Sequence, residues 1–197
     1  GPITINGGKI DANAIETTAT LWGAGIGSGY GEGSSNITIN GGKITATSKW
    51  GAGIGSGGIT ASDSRTSLAS NITINGGEIT TTSTGGAGIG SGQRGNASGI
   101  TINGGEIKIS MIGERSSGAG IGSGITGNAS NIEINDGIIE IIMSNAWGAG
   151  IGSGSAMTGL NNTLENLRIN DGKITIKTFA GACIGGGWKS NASNITI

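Results

Sequence analysis

The chain has 197 residues, of which 44 are glycine, one is proline and none is histidine, and 11 Lys/Arg against 12 Asp/Glu leave a formal charge of −1. Scattered, balanced charge excludes the electrostatic footprint of a nucleic-acid binder, and no apolar run approaches the roughly 20 residues of a membrane span. The missing histidine removes the commonest general base, the commonest metal ligand and every Ser-His or Cys-His triad.

In chain order, Gly1-Pro2 reads as a tag scar. Ile3–Gly8 then opens the first of six copies of an Ile-Thr-Ile-Asn-Gly-Gly motif, the others being Ile37–Gly42, Ile72–Gly77, Ile100–Gly105, Ile132–Gly137 and Leu167–Gly172, with a seventh begun at Asn194–Ile197. Between them lies Gly-Ala-Gly-Ile-Gly-Ser-Gly, starting at Gly23, Gly51, Gly86, Gly118 and Gly148, with the variant Gly-Ala-Cys-Ile-Gly-Gly-Gly from Gly181. Two motifs alternating along the whole length make one structural unit repeated. Residues 1–197 are therefore expected to form a single array. Starting and stopping inside repeats, it reads as a fragment whose caps, secretion signal and anchors lie elsewhere.

The second unit is the plainest. Asn36 to Asn40 alternates polar and apolar, predicting a strand with Ile37 and Ile39 inward. Gly41-Gly42 supplies a corner at positive φ. Lys43 to Thr47 alternates again with Ile44 and Ala46 inward. In the glycine motif Ala52, Ile54 and Ser56 share one face and four glycines the other. The Asn of the Asn-Gly corner recurs after 34, 35, 28, 32 and 35 residues, at Asn6, Asn40, Asn75, Asn103, Asn135 and Asn170. Such units bury nothing alone, but stacked they enclose a column of Ile and Ala. The fold class is thus all-β: a right-handed parallel β-helix, or solenoid, of about six three-segment coils. At ~4.8 Å per coil it is a rod about 30 Å long. The rival, an antiparallel sheet of Asn-Gly hairpins, leaves the glycine segment without a partner.

Length variation falls at Ala12–Leu21, Gly58–Ser70, Ser110–Ser117 and Ser155–Glu165, as loops do in solenoids. Met157, Leu160 and Leu164 are expected to pack on Ile138 and Ile142, which face outward in the fifth unit, unless those isoleucines form an exposed interface.

Several positions carry possible chemistry. Trp22, Trp50 and Trp147 precede glycine motifs, and Trp188 and Tyr30 follow them. They read either as corner plugs of the core or as an aromatic platform for carbohydrate beside a side-chain-free face. Asp136 and Asp171 replace the first corner glycine in consecutive units. They are either turn residues tolerant of positive φ or a weak candidate for a bridging cation such as Ca²⁺. The Asn columns are expected to hydrogen-bond from coil to coil. A column of Thr4, Thr38, Thr73 and Thr101 continues into Glu133 and Arg168, which should pair as ions. Unbroken, such threonines would suit an ice-binding face. Glu78, Glu106 and Glu140 alternate with Lys43, Lys108 and Lys173 as coil-to-coil ion pairs, not as the converging acids of a hydrolase. Cys183 stands where five other copies have glycine, as a tolerated substitution.

The run Asn-Ile-Thr-Ile-Asn-Gly-Gly-x-Ile-Thr-Ala-Thr followed by Gly-Ala-Gly-Ile-Gly-Ser-Gly resembles glycine-rich β-helix repeats of secreted or surface-anchored bacterial proteins. Its layout is similar to β-helical carbohydrate-binding domains and, more loosely, to the repeats of outer-membrane adhesins. Where the carbohydrate-binding pattern places Asp, this chain has Ala24, Ala52, Ala87, Ala119, Ala149 and Ala182. The resemblance implies a secreted or cell-surface, non-enzymatic module, acting as stalk and binding surface, with a glycan or host-cell ligand as partner. No cofactor, nucleic acid or membrane insertion is expected. The alternatives are a mechanical spacer, a module that self-associates through its glycine face, and a polysaccharide-degrading β-helix.

Overall fold

A computed structural model describes residues 1–14, 22–65, 67–112, 117–157 and 159–197. Most of the insertion predicted at Ala12–Leu21, and the centre of that at Ser110–Ser117, lie outside these residues. The described chain is all β, wound into three parallel sheets.

The first sheet has seven strands in sequence order: Ile3–Ile5, Ser34–Ile39, Leu68–Ile74, Asn96–Ile102, Ala129–Ile134, Asn162–Ile169 and Ser190–Thr196. The second has six: Lys9–Asn13, Lys43–Thr47, Glu78–Ser83, Glu106–Ile112, Ile138–Ser144 and Lys173–Lys177. The third has six two-residue strands, each an Ile-Gly pair, at Ile26, Ile54, Ile89, Ile121, Ile151 and Ile184. Every strand pairs in parallel with its equivalent in the neighbouring coil, so the chain is a β-solenoid of about six turns.

Register follows the repeat residue by residue. Ile37, Ile72, Ile100, Ile132 and Leu167 stack in the first sheet, and Ile44, Ile79, Ile107, Ile139 and Ile174 in the second. From Ile37 to Leu164 these inward side chains are sealed from solvent. Each buried Ile contributes about 1.5–3 kcal/mol relative to exposure, and a coil left alone would bury none of them. The core loosens at both ends, where Ile3, Ile10, Ile174, Ile176 and Ile184 are only partly buried. Thr81 is an inward polar residue of the second sheet: it is fully buried, and its hydroxyl has no hydrogen-bond partner.

Corners are made by two devices. First-sheet strands bend at Asn36, Asn71, Asn131, Asn166 and Asn194, all at φ between 53° and 59°. Asn tolerates this left-handed conformation better than other non-glycine residues, and the bend brings both Ala69 and Ile72 inward. In the Asn-Gly-Gly corner it is the second glycine that takes positive φ, from 93° at Gly8 to 126° at Gly137. The first place does not, so Asp136 and Asp171 are not there for a positive-φ turn, contrary to the sequence expectation. Each instead accepts the N–H of the glycine after it, at 2.6 Å for Gly137 and 2.7 Å for Gly172.

The Asn ladder expected at the corner is complete. Nδ2 of Asn40, Asn75, Asn103, Asn135 and Asn170 each donates to Oδ1 of the preceding rung, at 2.6–2.8 Å.

The glycine motif supplies the third segment of each coil, and its extended part is short. Only its Ile-Gly pair joins a sheet, and the motif closes on itself through bonds such as Ala52 N–H to Ser56 O at 3.0 Å. Its serine is a staple between coils. Ser91 Oγ donates to Gly95 O at 2.6 Å and accepts Gly124 N–H at 3.0 Å from the next coil, and Ser123 repeats this with Gly127 and Gly154. Nor are the glycines a bare outer face. Gly55, Gly90 and Gly122 lie at φ 134–138° and are buried, and a Cβ on any of them would overlap the carbonyl of the next coil. The glycine face offered by the sequence for self-association is consumed, in the interior coils, by coil stacking.

Candidate functional site

The four tryptophans and Tyr30 fall into two clusters on the edge that carries the glycine segments. Chain geometry brings them there, because the residue after one glycine motif donates its N–H to the residue before the motif of the preceding coil. Gly58 N–H bonds to Trp22 O at 2.7 Å, Gln93 N–H to Trp50 O at 2.7 Å and Trp188 N–H to Trp147 O at 2.8 Å. Positions before and after the motif therefore form adjacent columns, a relation that spacing alone did not reveal.

In the first cluster Trp22 and Trp50 lie with ring centroids 5.6 Å apart, and Tyr30 meets Trp22 edge-on at 6.3 Å. Trp22 is 8% exposed and packs over Gly58, filling a corner of the coil. Trp50 is half-buried and covers Gly85, the equivalent position of the next coil, which has no side chain of its own. The segment from Thr60 to Arg65 lies against this cluster, with Thr60 Oγ1 3.1 Å from the Tyr30 hydroxyl. Its Arg65 guanidinium lies 4.9 Å from the Tyr30 ring, over Gly31, and grips Asp63 with Nη2 at 2.7 Å from Oδ2. Hydrogen bonds from the Arg65 side chain, its backbone N–H and Tyr30 hold the Asp63 carboxyl far below the usual carboxylate range, and Asp63 raises Arg65 in turn.

The second cluster joins Trp147 and Trp188, with centroids 4.7 Å apart at 50°, and Lys189 Nζ stands 4.3 Å from the Trp188 ring. Both indoles are half-buried. Each offers part of its surface to a ligand while the rest is fixed by packing, and the ammonium adds a hydrogen-bond donor beside them.

Other expected sites are placed as follows. Asp136 and Asp171 turn back onto their own corners, and no group of three or more potential metal ligands occurs among the described residues. Glu133 and Arg168 are register partners, yet they do not pair directly. Asn170 stands between them, accepting Arg168 Nε at 2.6 Å and donating to Glu133 Oε1 at 3.2 Å. Lys43 and Glu78 bridge coils at 2.6 Å as expected. Lys108 instead takes Glu106, two residues back on its own strand, at 2.7 Å, which lowers the Glu106 carboxyl and raises the Lys108 amine. These pairs are solvated and worth little individually.

Leu164, expected to cover Ile138 and Ile142, is buried in the core as part of the first-sheet strand Asn162–Ile169. Ile138 is 55% and Ile142 38% exposed, with Ile112 on the next strand at 61%. The covering fails because the Ser155–Glu165 connection runs from the third sheet to the first, whereas the bare isoleucines lie on the outside of the second.

Cys183 is exposed. In the five preceding coils a Cβ at this place would stand 2.6–2.8 Å from a carbonyl oxygen of the following coil, Gly150 against Cys183 O among them. Cys183 Sγ lies 3.6 Å from Thr178 Oγ1 and 3.9 Å from Ile176 O, both in its own coil.

The beta helix repeat family model matches residues 3–30, 37–58, 72–93 and 100–125, which run through the glycine segments of the first four coils. No curated protein and no solved structure gave a match.

Proposed function

We infer that this β-helix repeat protein is a non-catalytic extracellular module of a bacterial surface protein, a rigid stalk that doubles as an adhesin's binding surface for polysaccharide. The observation that carries the binding clause is the Trp147–Trp188 pair, two half-exposed indoles on adjacent coils with Lys189 beside them. Flat aromatic faces repeated at one coil spacing match the advance of an extended sugar chain, and rings already held by packing lose little entropy on binding. The stalk clause is supported by in-register stacking, a sealed aliphatic column and an unbroken amide ladder. The non-catalytic clause is supported by a chain without histidine and by the pairing of Glu78 with Lys43 and of Glu106 with Lys108 on the outward face of the second sheet.

A polysaccharide pull-down or glycan array tests this reading. The parent should retain an insoluble or arrayed glycan, and Trp147→Ala and Trp188→Ala should release it. A parent that binds no glycan, or variants that bind as the parent does, would overturn it.

One observation favours a second reading, an oligomerising spacer. Ile112 and Ile142 lie exposed on neighbouring strands of the second sheet, and Ile138 lies exposed on the same outer face beyond Glu140. In the column of Ile138, Glu106 precedes it and Lys173 follows it. A second copy laid antiparallel across this face would bring Glu106 opposite the partner's lysine at the same place. Light scattering at rising concentration, with Ile138→Lys as control, separates the two readings; a strict monomer excludes this one.

A further inference from the structure

The second Asn column, at the bend of the first-sheet strands, has one rung missing. Asn71 donates to Asn36 Oδ1 at 3.2 Å, Asn166 to Asn131 at 3.1 Å and Asn194 to Asn166 at 3.1 Å. Between Asn71 and Asn131 the position is Gly99, which keeps the left-handed bend at φ 68° but brings no amide. One hydrogen-bonding group thereby loses its rung and a second is diverted from the column. Asn71 Oδ1, 3.1 Å from where a Cβ of residue 99 would be, accepts no rung above it among the described residues. Asn131 Nδ2, deprived of its acceptor, turns aside to Ser98 Oγ at a long 3.3 Å.

The gap opens into a surface depression of about 390 Å³ lined by Thr101, Asn131, Glu133, Asn166 and Arg168. That lies at the lower end of the roughly 300–1,000 Å³ typical of small-molecule sites. Arg168 and Glu133 wall one side, each tied to the ladder through Asn170, so the charged groups are positioned before a ligand arrives.

We propose that this gap is a binding site for the acetamido group of an N-acetylated amino sugar. The missing rung is one planar amide, with a donor aimed at Asn71 Oδ1 and an acceptor aimed at Asn131 Nδ2. A secondary acetamide offers that N–H and C=O pair. The sugar ring then rests in the depression, with its hydroxyls toward Glu133 and Arg168. Unmodified glucose has hydroxyls but no amide, and cannot complete the ladder. The site lies on a different sheet from the indoles and does not rest on the reading given to them.

The test is a titration of the isotope-labelled chain with N-acetylglucosamine and, separately, glucose, read on the side-chain amide resonances of Asn71 and Asn131. N-acetylglucosamine should shift both resonances saturably and glucose should shift neither. Gly99→Asn supplies the rung from within. Asn holds the same bend in the other first-sheet strands that carry it, so the variant should fold and unfold at a higher temperature. It should lose about tenfold or more in affinity, the worth of one hydrogen-bonded group. The proposal is overturned if the parent shows no saturable shift, if glucose matches the amino sugar, or if a folded Gly99→Asn binds as the parent does. Trp147→Ala should leave these shifts unchanged. Glycan retention lost in the indole variants but kept in Gly99→Asn, with no amide shift in the parent, would overturn this site and leave the indole site standing.

Discussion

Gly55 and Gly90 meet across one coil so closely that no side chain fits between them: a Cβ on Gly55 would overlap the Gly90 carbonyl, at a φ of 138° that L side chains rarely adopt. The contact recurs between Gly27 and Gly55, Gly90 and Gly122, and Gly122 and Gly152. Gly55→Ala therefore combines backbone strain with overpacking against main chain that cannot yield, and should cost about 3–5 kcal/mol. Gly29→Ala, at an exposed glycine with nothing within 4 Å of the new methyl, should change stability by less than about 0.5 kcal/mol. Urea unfolding of the two variants checks the contrast.

Thr81 is the opposite case, a residue whose replacement should help. Its hydroxyl is buried without a partner, in a column otherwise held by Ala46, Ile109 and Ile141. Thr81→Val keeps the shape and removes the stranded group, so the protein should gain about 1 kcal/mol. A fall in the thermal midpoint would show that the hydroxyl is satisfied in solution.

The tryptophans should divide by burial. Trp22→Ala empties a nearly sealed corner and is expected to cost about 3–5 kcal/mol. Trp188→Ala removes a half-exposed ring at the looser end of the core and should cost roughly 1–2 kcal/mol. Thermal unfolding of both, set beside glycan retention, separates a plug from a contact: the first variant should lose stability before binding, the second binding before stability.

Asp63 gives the chain an acid-sensitive clasp. Arg65 and Tyr30 depress its carboxyl below its ordinary value of 3.8. A depressed carboxylate contributes stability above the unfolded value, and that contribution drains away as the pH falls below it. The parent should therefore exceed Asp63→Asn in stability by a constant margin above about pH 4.5, narrowing steadily below pH 3.8. A margin that stays flat down to pH 2 would show that the ion pair does not form in solution.

How much of this was open to sequence reading depends on what repetition encodes. Ile37, Ile72, Ile100 and Ile132 recur in one place of one motif, and that alone fixes parallel register, the inward face and the Asn ladder. Period-two alternation names the faces of a strand but not what stands opposite. Hence the glycines of the Gly51 motif looked like an outer surface, whereas each is pressed against a neighbouring carbonyl. The Trp147–Trp188 contact was hidden for a related reason. One residue precedes a glycine motif and the other follows the next, and only the closed shape of the motif brings the two columns together. Gly99 left a signal that went unread: Asn-Ile becomes Gly-Ile in one unit of an otherwise regular column, which is where a ladder must break.

Cys183 bears on how far such an array can grow. In the five earlier coils the same place is left empty so that another turn can be laid on top. A side chain at this place would meet the carbonyl of any further turn laid on the third sheet, so such a turn would have to shift to make room for the thiol. Two copies of this chain joined end to end should consequently melt as two bodies and not one, and restoring glycine at position 183 is the change that would let them fuse into a single rod.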